Sequence, residues 1–112
     1  MNTTAHASEL NKPILICFHA NYSGSFHLMQ PLIHDLQEDY KEDLNIVLIE
    51  KGEDLSLEKE YNINFFTTLL LIWKNEEIVR FHGLVNREEL YSHINKLILD
   101  IYENTKQAKE RK

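Results

Sequence analysis

Three short apolar runs, Ile14-Leu15-Ile16-Cys17-Phe18, Asn45-Ile46-Val47-Leu48-Ile49 and Thr68-Leu69-Leu70-Leu71-Ile72-Trp73, set what this chain can fold into. Each is continuous, rich in branched residues and too short for a helix, which is the pattern of a buried strand. Lys12-Pro13 opens the first run, and a proline is tolerated where a strand begins. Between the first two runs, Phe26, Met29, Ile33, Leu36 and Tyr40 recur every three or four residues and so share one face of a helix. Pro31 falls inside that helix, where it removes one backbone hydrogen bond and is expected to produce a kink. A polar stretch over 50–54 leads into a short helix over about 55–61. Lys74-Asn75-Glu76-Glu77 turns the chain into a fourth strand, Ile78-Val79-Arg80-Phe81-His82, whose rough alternation suits an edge or half-covered position. Gly83 ends it. Asn86 is the expected N-cap of a last helix, with Glu88 and Glu89 in the first turn and Leu90, Ile94, Leu97, Ile98 and Ile101 as its apolar face. The order β-α-β-α-β-β-α defines an α/β chain.

At 112 residues, 43% hydrophobic, with three glycines and two prolines, the chain has the make-up of one compact domain over 1–112. Residues 1–11 read as a short N-terminal extension and 106–112 as a charged C-terminal tail. The formal net charge of −6 argues against a nucleic-acid partner. Phosphate binding needs clustered Lys and Arg, and the basic cluster here is Lys106, Lys109, Arg111 and Lys112 in the tail, expected to be a solvated helix end. No run approaches membrane-spanning length, and residues 1–8 lack a basic segment followed by an apolar one. No membrane partner is therefore expected, and the cytoplasm is the expected compartment. The single cysteine, Cys17, allows no intrachain disulfide, in keeping with a reducing compartment.

The junction between the first strand and the first helix, Tyr22-Ser23-Gly24-Ser25-Phe26, is where this pattern acquires a family likeness. The chain resembles the thioredoxin family over about 12–97. The likeness rests on Lys12-Pro13, Phe18-His19-Ala20, Tyr22-Ser23-Gly24, Leu28-Met29-Gln30-Pro31-Leu32-Ile33 through Glu38-Asp39-Tyr40, Tyr61-Asn62-Ile63, Thr68-Leu69-Leu70-Leu71 and Gly83. The resemblance implies a central four-stranded mixed sheet flanked by helices. With about 11 residues before the first strong strand, the N-terminus is shortened, so the family's extra N-terminal strand is expected to be missing.

Function follows from the site and not from the fold. The family reaction needs a thiolate at a helix N-terminus and a second thiol to resolve the mixed disulfide. The resemblance puts those positions on Ser23 and Phe26, so thiol-disulfide exchange is not expected. It also puts the family's buried acid on Cys17 and that acid's lysine companion on Leu48. Losing an unneeded buried charge favours stability. The family's cis-proline falls on Thr67. Because a cis bond before a non-proline residue is disfavoured, the Phe66-Thr67 peptide is expected to be trans, with a Thr67 N–H that proline lacks.

Three chemical readings compete with loss of redox function. Cys17 as a relocated nucleophile is opposed by its apolar strand, which raises a thiol pKa and blocks access. A serine enzyme would pair Ser23 with His27 or His19, but no G-x-S-x-G elbow is present, and Ser23 is better placed as an N-cap with Gly24 easing the turn. A thioredoxin-family oxidoreductase in which a cysteine at position 23 has been replaced is the remaining enzymatic alternative. Among the six histidines, His27 and His34 are about 10 Å apart along a helix, too far to share an ion. His19, His27 and His82 map near one end of the family fold, yet form a thin ligand set, so neither a metal nor a cofactor is expected. What remains is binding. The family groove beside this turn receives an extended segment of a protein, and the matching positions here are Tyr22, Ser23, Gly24, Ser25, Phe26, Phe65, Phe66, Thr67, His82 and Leu84. Exposed aromatics there are candidate anchors for a client protein or peptide, and the amides at the helix N-terminus for a carboxylate.

Overall fold

In the computed structural model, which describes residues 12–20 and 24–110 (side chains of Ser25 and of 106–110 excepted), the apolar runs become strands of one sheet. The elements are β1 (Ile14–His19), α1 (Gly24–Asp39), β2 (Asn45–Glu50), α2 (Leu55–Glu60), β3 (Thr68–Trp73), β4 (Glu76–His82) and α3 (Arg87–Glu110). The strands lie in the order β2-β1-β3-β4, with β1 parallel to β2 and antiparallel to β3, and β3 antiparallel to β4. The sheet is therefore mixed and four-stranded, as expected. The N-terminal extension and the expected missing strand lie outside the described residues, as do the side chains of the charged tail.

The two faces of the sheet carry separate apolar clusters. Leu15, Cys17, Leu69 and Leu71 meet Met29, Leu32, Ile33 and Leu36 of α1 and Leu90, Ile94 and Leu97 of α3. On the other face Ile16, Phe18, Ile49, Leu70 and Ile72 meet Ile63, with Leu57 and Tyr61 packed against them from α2 and its C-cap. The division follows the period of two along each strand. β1 and β3 are central and covered on both sides, so their runs carry no polar interruption. α1 stays helical on both sides of Pro31, whose side chain is exposed. Asn86 caps α3 as expected, its Oδ1 accepting the Glu89 N–H at 2.9 Å, and Asp54 caps α2 by accepting from Leu57 at 3.0 Å.

Two strand expectations need correction. β2 was expected to be buried, but among the described residues it is an edge strand, in which Val47 and Leu48 are each 40% exposed. The six-residue α2 is only ~9 Å long and cannot cover the whole outer margin of its face. β4 begins at Glu76 and not at Ile78, because the turn uses two residues only. Lys74 and Asn75 both take positive φ, 52° and 65°, the left-handed pair that lets a tight hairpin match the strand twist.

Side chains from distant segments tie the helices down. Between α1 and α3, the Tyr91 hydroxyl donates to Asp39 at 2.6 Å, the Tyr40 hydroxyl donates to Asn95 at 2.5 Å, and Arg87 pairs with Asp35 at 2.9 Å. Partial burial, then the bond to Asp39, pushes the Tyr91 hydroxyl up to about 12. The fold thus favours the neutral phenol. Its contribution is complete below the ordinary tyrosine pKa of ~10 and is lost as pH rises through the folded value.

At the other face, Arg80 on β4 donates to the Tyr61 carbonyl at 2.7 Å, where α2 ends, and is held by Glu77 at 2.9 Å. Those bonds keep the Glu77 carboxyl below its usual range, so the contribution weakens as acid protonates it. Arg80→Ala is expected to cost about 1–2 kcal/mol, because it leaves helix-end carbonyls unpartnered as well as breaking an ion pair. A lowered urea midpoint is the readout, and Glu77→Gln, which keeps the carbonyl contacts, should cost less.

Candidate functional site

The strand directions bring the candidate residues to one end of the sheet. β1 and β2 end there, β3 begins there and β4 ends there, with Phe18 opposite both Ile49 and Thr68, and Thr68 opposite His82. α1 starts at the same end with Gly24, and the segment Phe65-Phe66-Thr67 enters β3 there.

Two histidine–aromatic pairs flank this end. The His19 ring lies on the Phe26 ring, centroids 4.0 Å apart and 11° from parallel, so the end of β1 is joined to the first turn of α1. Its Nδ1 is buried and has no hydrogen-bond partner among the described residues. The His82 ring lies against Phe65, centroids 5.0 Å apart. Phe65 itself is 60% exposed and Leu84, just past β4, 61% exposed. Phe66 turns to the other face, packing on the α2-side cluster, with the Lys51 ammonium 5.4 Å from its ring centre. Phe26 and Phe66 are thus both partly covered, while Phe65 is presented to solvent.

Thr67, at 1% exposed, is buried at this end of the sheet. Its carbonyl accepts the Gly83 N–H at 2.8 Å, and Thr68 Oγ1 donates to the Phe65 carbonyl at 2.7 Å. Gly83 has φ +72°, a conformation that side chains rarely adopt. The Phe66-Thr67 peptide is cis, which overturns the expected trans bond. The expectation weighed one peptide bond by itself. In the folded chain the segment is fixed on both sides, by β4 through Gly83 and by β3 starting at Thr68, and this surrounding structure sets its conformation.

Cys17 is fully buried, opposite Leu48 on β2 and Leu69 on β3. Burial pushes its thiol up to about 12, so the thiolate is scarce at neutral pH and has no path to a substrate. Leu48, the position matching the family's lysine, is not buried with it but lies on the exposed edge. Tyr22 and Ser23 lie outside the described residues, as does the Ser25 side chain, so the N-cap and Ser-His expectations fall there. Gly24 is exposed with open space around its Cα. Among the described residues no three His, Cys, Asp or Glu side chains gather as a metal site, and no helix is long and apolar enough to cross a membrane.

Among the described residues, this end of the sheet presents the exposed side chains of Phe65 and Leu84. A hollow of about 240 Å³ lies at the opposite end, lined by Pro13, Asp43, Ile98 and Tyr102 among others, and includes none of the residues above. Lys51 is the contributor that sequence reasoning missed. Its signal was its place two residues after the second apolar run, which the parallel pairing of β1 and β2 brings to this end.

The thioredoxin family model matches residues 1–96. A thioredoxin of Pyropia yezoensis is 27% identical over 88 residues, covering 79% of this chain and 82% of that protein. Chloroplastic thioredoxin Y1 of Arabidopsis thaliana is 26% identical over 84 residues, 75% of this chain, and the match spans 49% of that longer protein. The germline-specific thioredoxin Deadhead of Drosophila melanogaster superposes with a TM-score of 0.73 at 19% identity, over 85% of this chain and 90% of that structure. The chain belongs to the thioredoxin family, with a single cysteine.

Proposed function

We propose that this chain is a redox-inactive member of the thioredoxin family that binds an extended segment of a client protein beside the former active-site turn. The observation that carries this reading is the exposure of Phe65 and Leu84, which the Phe65–His82 ring contact and the Gly83–Thr67 hydrogen bond bring to the end of β4 beside the buried Thr67. Large apolar side chains in open positions are what a binding site for an extended peptide uses as anchors. Loss of exchange chemistry is supported by the residue types. Serine at position 23 and phenylalanine at 26 supply neither the attacking nor the resolving thiolate, and the one thiol is buried.

The test is binding of the full chain to an array of extended peptides rich in apolar residues. Phe65→Ala and Leu84→Ala are each expected to weaken the selected peptides about tenfold, roughly the loss of one partly buried apolar anchor. Identical binding by parent and both variants would remove the groove from the proposal.

A further inference from the structure

β3 opens with a hydroxyl in a run that is otherwise apolar. Thr68 is 1% exposed, and a hydroxyl taken out of water needs a hydrogen-bond partner. Its Oγ1 finds one three residues back, donating to the Phe65 carbonyl at 2.7 Å. Apolar packing does not account for where Phe65 sits, since its side chain is 60% exposed and belongs to neither cluster of the sheet. Its ring lies instead against His82, centroids 5.0 Å apart.

The register of β3 against β4 links the two ends of this residue. Thr68 and His82 stand opposite each other, and opposed residues send their side chains to the same face. By the period of two, that face is the one carrying Leu70 and Ile72, on the side of α2. Arg80, opposite Leu70, lies on it as well and donates to the Tyr61 carbonyl at 2.7 Å. The segment between α2 and β3 is thus held at its start by Arg80, in its middle by the buried Ile63, and at Phe65 by the Thr68 hydroxyl and the His82 ring.

We propose that Thr68 is a positioning residue, whose hydroxyl fixes the Phe65 backbone so that the Phe65 ring stands against His82 as a preplaced anchor. Its bearing on a client rests on the peptide-binding reading above. A side chain that is already placed loses less freedom when a partner covers it, so the hydroxyl contributes affinity without touching the partner. Two substitutions separate this role from simple packing. Valine keeps the branched shape that suits a strand but cannot donate, whereas serine donates but lacks the methyl group.

The test on the full chain is NMR, read at the cross-peaks between the Phe65 and His82 rings. They are expected in the parent and in Thr68→Ser, and expected to be lost in Thr68→Val. Both variants should lower the urea midpoint, one by a lost hydrogen bond and the other by a lost buried methyl. Affinity for the tightest-binding peptide of the apolar array should fall about threefold in Thr68→Val and stay at the parent value in Thr68→Ser. A threonine with a structural role alone would make affinity follow the midpoint in both. Cross-peaks intact in Thr68→Val, or lost in both variants, would overturn the proposal. So would parent-like affinity in Thr68→Val once its cross-peaks are gone. If the cross-peaks behave as expected while Phe65→Ala binds every peptide as the parent does, the groove reading falls and the placement of Phe65 by Thr68 stands.

Discussion

Cys17→Asp is expected to cost this protein about 4 kcal/mol of stability at neutral pH, a large part of what a domain of this size has. The site is fully buried in the cluster formed by the sheet, α1 and α3. The positions opposite it are Leu48 and Leu69, so no cation stands ready to pair with a carboxylate. A carboxylate there sheds its hydration without return, and the group answers by holding its proton. Its folded pKa then lies above the unfolded value of ~3.9. The sign follows: the deficit is least in acid below that unfolded value, where both states are protonated. It grows by about 1.4 kcal/mol per pH unit as pH rises from the unfolded pKa toward the folded pKa, and levels off above the folded value. Urea unfolding at pH 4 and pH 7 measures this directly, with Cys17→Ala, expected to cost about 1–2 kcal/mol as a small cavity, as the control. A Cys17→Asp protein within about 1 kcal/mol of the parent at neutral pH would mean that the thiol's surroundings supply a polar partner or water.

That expectation depends on Cys17 being read correctly from the sequence, and it was, because its run is interior by every local sign. The same signs misled at β2. A continuous apolar run of five residues looks the same whether helices cover both its faces or a short helix leaves its outer margin bare, since strand order is a property of the whole sheet. β1, β3, α1 and α3 were legible because their periodicity is dictated by burial alone. The last turn into β4 was misplaced by two residues because Lys74, unlike glycine, does not advertise a positive φ.

At the site, the aromatic residues were legible as a group but not in their orientations. Neighbours in sequence, Phe65 and Phe66 point to opposite surroundings, one to His82 and solvent, the other to Lys51 and the α2-side cluster. Alternation along an extended segment predicts that they differ, but not which of the two faces solvent. The Phe66-Thr67 bond was misjudged for a related reason: its conformation is held by Gly83 and β3, which are distant in sequence or not yet placed when the dipeptide is read alone.

The proposed loss of exchange chemistry predicts its own reversal. The parent chain is expected to show no dithiol-dependent reduction of insulin above the blank, and Ser23→Cys with Phe26→Cys together to raise turnover at least about a hundredfold above the parent. Position 23 directly precedes α1 (Gly24–Asp39), where the helix dipole lowers a thiol pKa to ~7 or below. The thiolate at 23 attacks one sulfur of the insulin disulfide, forms a mixed disulfide and expels the other sulfur as thiolate. The thiol at 26, once deprotonated, attacks the sulfur at 23 and releases the second insulin thiolate, leaving a disulfide between positions 23 and 26 that the external dithiol reduces. Ser23→Cys alone lacks the resolving step and should stall at the mixed disulfide. Cys17 does not interfere, because burial keeps it protonated. The double variant also removes the Phe26 ring from its stack on His19, so a lower unfolding midpoint is expected alongside the gained activity. Turnover by the unmodified chain would end the redox-inactive reading. A folded double variant without turnover would mean that the loss reaches beyond the two side chains, into the loop that must seat the disulfide.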